Sequence, residues 1–246
     1  MNKPQGGFTI IEVMLFLAVS GLIMLVVLTG VATGINRERY RDAVNSYLDF
    51  WQGQYNSATN VVNNRDIQNP CVGGRIVQDG SEAADSSKGV SDCTIVGRVI
   101  YSSADGKSVT SSAVYATVDA RTLPVNPDDT DAEVLASAGL VIGVQPEMRQ
   151  LNWDARLVDA KSGTGHIFSI LIVRMPTSGA MRTFVTTNPN LSPAQIVAPS
   201  QTYVDTDFIM CVDPVGLVAT PTVGVKLSRD AVNSSGVTLA GDGAGC

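Results

Sequence analysis

The chain has 246 residues, a net charge of −6, 16% charged residues and 6% aromatic residues. An acidic balance of this kind argues against non-specific nucleic-acid binding over the whole surface, which needs basic patches. The length accommodates one membrane helix and one further domain of about 190 residues, large enough to bury a core.

A short polar leader carrying Lys3 ends in the pair Gly6-Gly7, and from Phe8 to Ile35 the chain is apolar apart from Glu12 and a few small or hydroxyl residues. Residues 13–36 hold no ionisable side chain. As a helix rising about 1.5 Å per residue they cover roughly 36 Å, against a hydrocarbon core of about 30 Å, so the segment crosses a bilayer with some tilt. An unpaired Glu12 inside it costs about 2.5 to 3.5 kcal/mol even on the lenient insertion scale. Either the carboxylate has a partner or it lies shallow enough to reach the headgroups, and position alone leaves both open.

Gly7, Phe8 and Glu12, followed by the long apolar helix, resemble the amino-terminal signature of type IV pilins and of the related pseudopilins of secretion and DNA-uptake systems. The resemblance implies that a prepilin peptidase cuts between Gly7 and Phe8 and methylates the new amino group of Phe8. It also implies that Glu12 pairs with the amino terminus of a neighbouring subunit, setting axial register. A buried carboxylate and a buried ammonium offset each other's desolvation. The resemblance covers about the first fifth of the chain. Many type IV pilins carry a proline in mid-helix, where this span has Gly21, Thr29, Gly30 and Gly34, each glycine weakening the helix by up to about 1 kcal/mol relative to alanine.

Two features compete with that reading. A secretory signal peptide would use the small residues Ala32-Thr33-Gly34, but the apolar core of residues 13–31 is too long for one. The flanking charges, Lys3 before the span and Arg37, Arg39 and Arg41 after it, favour a cytoplasmic carboxyl-terminal domain by the positive-inside rule, whereas the resemblance implies the opposite orientation.

Beyond the span, Tyr40, Val44, Tyr47, Leu48, Trp51 and Tyr55 recur at three- and four-residue steps, which predicts that the helix continues with an aromatic face packed on the remainder of the chain. Gly53, Asn56 and the asparagines of residues 60–64 signal its end. Residues 71–93 read as an exposed excursion with a cysteine at each end. Residues 94–101 and 108–118 read as a hairpin turning at Ser103-Ala104-Asp105-Gly106. Asp129, Asp131 and Glu133 suit calcium in part, lacking the glycine and distal glutamate of an EF-hand loop. Thr130 and Glu133 equally form a capping box ahead of a helix stopped by Gly139, and this is the preferred reading. Residues 151–160, 166–175, 182–187 and 202–212 read as further strands of an antiparallel sheet, and 223–227 as an edge strand. Residues 188–199, with Pro189, Pro193 and Pro199, read as a surface loop.

Cys71, Cys93, Cys211 and Cys246 allow three connectivities, of which Cys71–Cys93 with Cys211–Cys246 is the sequential choice. With one histidine and no CxxC pair, zinc is disfavoured. His166 has no companion nucleophile motif, and no Walker, Rossmann or nucleophile-elbow pattern occurs, so neither an enzyme nor a cofactor is expected. Asn233-Ser234-Ser235 is formally a glycosylation sequon.

The expectation is an α+β chain: a leader (1–7), a transmembrane or filament-core helix (8–36), its amphipathic continuation (37–59) and an extracytoplasmic domain rich in β-structure (60–246). The resemblance implies a pilus or related filament subunit, a single-pass membrane precursor before it reaches the cell surface, partnered by copies of itself, other pilins, prepilin peptidase and an assembly platform with its ATPase. A minor pilin or pseudopilin is the nearest alternative. A single-span anchored binding domain that never polymerises is the rival from another class.

Overall fold

In the computed structural model, residues 9–60, 93–118, 122–159, 162–198, 201, 204, 206–215, 222–241 and 246 are described, with the backbone of 71–72 and 75–76. Helix α1 (Ile10–Thr59) runs unbroken for 50 residues. Thr9 caps its start in an extended conformation (φ −75°, ψ 151°), and the helix gives out among Asn56 to Asn60, where the Asn60 N–H donates to the Asn56 carbonyl (2.9 Å).

The expected aromatic face is the centre of the core. Tyr40, Val44, Tyr47, Phe50, Trp51 and Tyr55 are buried, Trp51 and Tyr55 completely. They lie in one cluster with Ile100, Phe168, Ile170, Met210, Val225 and Leu227. Polar tips on this face, the buried Trp51 indole N–H excepted, are bonded to the sheets. The Tyr40 hydroxyl donates to the Val212 carbonyl (2.8 Å) and accepts from the Val223 N–H (2.7 Å), Gln52 donates to the Val237 carbonyl, and Tyr55 shares a hydrogen bond with Thr183 (2.7 Å). Burial pushes the Tyr47 and Tyr55 phenols well above their ordinary range, so both stay neutral donors.

The strands, in chain order, are β1 (Cys71–Val72), β2 (Arg75–Ile76), β3 (Thr94–Ser102), β4 (Ser108–Ala116), β5 (Leu140–Ile142), β6 (Glu147–Gln150), β7 (Arg156–Val158), β8 (Ser169–Arg174), β9 (Met181–Thr186), β10 (Phe208–Asp213), β11 (Val223–Leu227) and β12 (Val237–Ala240). All their pairings are antiparallel. One sheet has the order β5-β4-β3-β8-β9, with β6 beside β5 on the same edge of β4; a second has β12-β11-β10-β7. Alternation splits the first sheet between two cores: Ile100, Ile170 and Ile172 face α1, while Val99, Leu171 and Val173 face a second cluster with Leu135, Ile196 and Val197. That second layer is built by α2 (Asp131–Ser137) and α3 (Pro193–Ile196).

Two glycines carry backbone approaches that no side chain would allow. A Cβ on Gly97, at the β3 irregularity, would sit 2.1 Å from the Ile172 carbonyl oxygen of β8. Gly106, at φ +71° in the β3–β4 hairpin, would meet the Leu157 carbonyl oxygen of β7 at 2.1 Å. The second contact joins the hairpin to the other sheet, reinforced by the Leu157 N–H donating to the Gly106 carbonyl (2.8 Å).

The structure corrects several element boundaries. Residues 151–160 hold only the three-residue β7, because Asn152–Asp154 form a 3-10 turn in which Trp153 (φ 59°) and Asp154 (φ 56°) are left-handed. Residues 166–175 become strand only from Ser169, and among the described residues of 202–212 the strand begins at Phe208. The expected surface loop at 188–199 contains α3, capped by Ser192 and burying Ile196 and Val197. Strands β1, β2, β5, β6 and β12 fall where no strand was expected.

Cys211 and Cys246 are disulfide-bonded, with Cα atoms 5.6 Å apart, tying the chain end to β10. Cys93 is disulfide-bonded too, while its expected partner Cys71 has a side chain outside the described residues. Most of the 71–93 excursion also lies outside them. The Cys211–Cys246 bridge spans 35 residues, and loop-closure entropy of that size is worth about 3 to 4 kcal/mol. Urea unfolding of a Cys246→Ser variant in detergent is expected to show a loss of that size with a steeper denaturant slope, because the unfolded chain without the cross-link exposes more surface.

Candidate functional site

The first half of α1 has no protein against it. Its most apolar 18-residue window is nowhere buried, and Ile10, Phe16, Leu22 and Val26 are each more than 60% exposed. An apolar face of this extent requires lipid or other helices as its cover. Backbone polar groups in this stretch are satisfied along the helix, and its threonines bond inward: Thr29 Oγ1 donates to the Leu25 and Val26 carbonyls (3.0 and 2.9 Å) and Thr33 Oγ1 to the Thr29 carbonyl (2.9 Å). Neither threonine therefore presents an unmet donor to hydrocarbon. Gly21, Gly30 and Gly34 have nothing within 4 Å of a would-be Cβ, so no internal packing requires them.

At the start of the helix Glu12 has a local partner that the sequence reading passed over. Thr9 and Glu12 form a complete capping box: Thr9 N–H donates to Glu12 Oε2 (2.9 Å), Thr9 Oγ1 donates to the same oxygen (3.0 Å), and Glu12 N–H donates to Thr9 Oγ1 (3.3 Å). The signal was Thr9-Ile10-Ile11-Glu12, the same spacing that was recognised at Thr130 and Glu133. In the single chain, then, the carboxylate is the partner of its own helix terminus, which complements the positive end of the helix dipole. Gly7 and Phe8 lie outside the described residues.

Residues 2–28 match the family model for the prokaryotic N-terminal methylation motif. With the long apolar helix that follows, this is the type IV pilin signature. The motif supports a pilin-like or pseudopilin precursor, and the apolar helix fits a membrane-anchored form of it. No curated protein and no solved structure matches the chain.

Outside the pilin-type helix the other candidate residues are occupied by structural work. Asp129 accepts from the Asn126 N–H (2.7 Å), Asp131 pairs with Arg182, and Glu133 caps α2 through Thr130. Their carboxylates serve three different donors, and the preferred Thr130–Glu133 capping box is present. Among the described residues no cluster of three metal-type ligands occurs. Asn233 caps a short turn, accepting from the Ser235 N–H (2.9 Å).

His166 is 8% exposed between Phe168 and Phe208, with ring centroids 5.7 and 5.0 Å away, and its Nδ1 has no hydrogen-bond partner. Burial lowers its pKa below the ordinary 6.5, against a weaker upward pull from the Asp159 charge. The unfolded chain therefore binds this proton more readily than the folded one, and stability falls as pH drops below about 6.5 until the folded-state pKa is passed. Unfolding free energies measured from pH 7.5 to 5, on the wild type and on His166→Leu, are expected to show that component in the wild type alone.

Proposed function

We propose that the chain is a structural subunit of a type IV pilus or related filament. Residues 1–7 are the leader, removed by prepilin peptidase between Gly7 and Phe8, with methylation of the new Phe8 amino group. Residues 8–36 hold the subunit in the cytoplasmic membrane and then form the filament core, and residues 37–59 join that core to the surface domain formed by residues 60–246. The observation that carries this reading is the methylation motif on a helix whose first half is wholly unburied while its second half is the core of the domain.

Assembly then moves apolar helices from lipid to one another. In that desolvated core Glu12 passes from the Thr9 cap to the ammonium group of a neighbouring Phe8, which fixes the axial step that a uniformly apolar helix cannot specify. Head-to-tail packing of identical units generates open helical filaments, and the activity of such a polymer is mechanical: adhesion, surface motility, DNA uptake or secretion. The domain presents no role as a catalyst in this scheme.

Mass spectrometry of the amino-terminal peptide from the native membrane or surface fraction is the test. A chain starting at methylated Phe8 is expected. An intact Met1 start in cells with active prepilin peptidase would overturn the proposal in favour of an anchored, non-polymerising domain. A Glu12→Ala subunit is expected to be cut and inserted normally but to yield no filaments by electron microscopy of sheared surface material.

A further inference from the structure

Trp153 is far from α1 in sequence, yet it is fixed beside the last turns of the apolar segment. It closes a shallow apolar recess with Gly34, Ile35, Glu38, Arg39 and Asp42. Its indole N–H donates to Asp42 Oδ2 (2.8 Å), and the Arg39 guanidinium carbon lies 4.9 Å from the ring centre. The ring remains 48% exposed. To reach this place the chain holds Trp153 and Asp154 in the left-handed region, at φ 59° and 56°, a conformation that bulky residues avoid and that persists only where the surroundings impose it. A tryptophan placed at such backbone cost and left half-exposed is not filling the core.

We propose that this recess is a phospholipid-interface seat: when α1 spans the bilayer, the Trp153 ring lies in the headgroup layer and sets how deep the helix sits. This rests on the reading of residues 13–36 as a membrane span. The position follows from that span. Arg39 is three residues past Asn36, about 4 to 5 Å further along the axis, which is the depth of the interfacial layer where tryptophan rings collect. The recess is continuous with the span through Gly34 and Ile35. The bond to Asp42 satisfies the indole N–H, so the exposed apolar part of the ring enters the boundary without an unmet donor. Arg39, over the ring, is the one cation lining the recess and is suited to a lipid phosphate; of the two carboxylates beside it, Asp42 is bonded to the indole and Glu38 is paired with Arg41 (3.5 Å).

The test uses the full chain reconstituted in phosphatidylcholine and phosphatidylglycerol vesicles containing lipids brominated either near the headgroup or near the chain ends. Trp51 is fully buried, so accessible quenching reports Trp153, and Trp153→Phe checks that assignment. Vesicle flotation reads insertion separately. The expected result is a floating chain whose fluorescence is quenched by the shallow bromines, hardly by the deep ones, with that quenching lost in Trp153→Phe. A floating chain quenched by aqueous iodide and by neither lipid would overturn the seat while leaving the span intact. A chain that does not float would overturn both. Shielding from iodide only in assembled filaments would overturn the lipid as occupant and assign the recess to a second copy.

Discussion

The structure depends on one unbroken helix that has two solvents. Up to Ile35 every large side chain of α1 except Glu12 is apolar and uncovered; from Tyr40 the helix turns a single face of aromatic residues into protein. Both sheets are arranged around that face, the first through Ile100, Ile170 and Ile172 and the second through Met210, Val225 and Leu227. Burying Trp51, Tyr47, Tyr55 and Phe50 removes several hundred square ångströms of aromatic surface from water. The same residues interlock edge to face, with Trp51 in contact with Tyr47, Phe50 and Phe168. Without the helix, each sheet would expose its inner face.

Polar groups on the buried face decide how the helix is seated. Gln54 accepts from Arg98 (3.0 Å) and from Ser111 (2.6 Å), and Arg98 goes on to Glu147 of β6 (2.6 Å). Gln54 is 6% exposed, and a buried amide left unpaired is costly, so this network admits one rotational setting of α1 where aromatic packing alone would tolerate several. Tyr40 does the same for the axial setting, bonding the carbonyl of Val212 and the N–H of Val223 on adjacent strands β10 and β11.

The long helix, its aromatic face, the β3–β4 hairpin and the α2 cap were legible in the sequence because each is written in local periodicity or in a turn signal. Strand β11 was legible at its true boundaries but not in its place: expected at an edge, it lies between β10 and β12, because β12, the strand that covers it, gave no signal of its own. What escaped has physical reasons. Strand β6 is exposed at all four residues, so Glu147-Met148-Arg149-Gln150 has no apolar alternation to detect; it exists because β4 offers it an edge. Strand β7 was overextended because Leu151 and Trp153 look like strand residues, and nothing in a tryptophan announces a positive φ that long-range contacts with Asp42 and Arg39 stabilise. Helix α3 was hidden by the prolines around it, although Pro193 after Ser192 is a good helix start. The Thr9 and Glu12 box was overlooked for a different reason: a carboxylate in an apolar run draws attention to its charge, and its spacing from the preceding threonine passes unnoticed.

A rigid helix shared by both regions means that position is communicated along it. Gln54 and Tyr40 fix the rotation and height of the domain on α1, and the capping box fixes where the helix begins, so the axial setting of the amino terminus determines the axial setting of the domain. Between the two lies the stretch most able to absorb bending: Gly30 and Gly34 lower helix propensity by up to about 1 kcal/mol each, have open space around them, and precede the first buried residue, Tyr40. Trp153 bears on the helix just beyond them, through Arg39 and Asp42. Gly21 has the same open surroundings, so all three glycines precede the packed face, and a bend at any of them leaves the packing of residues 40–58 on the sheets intact.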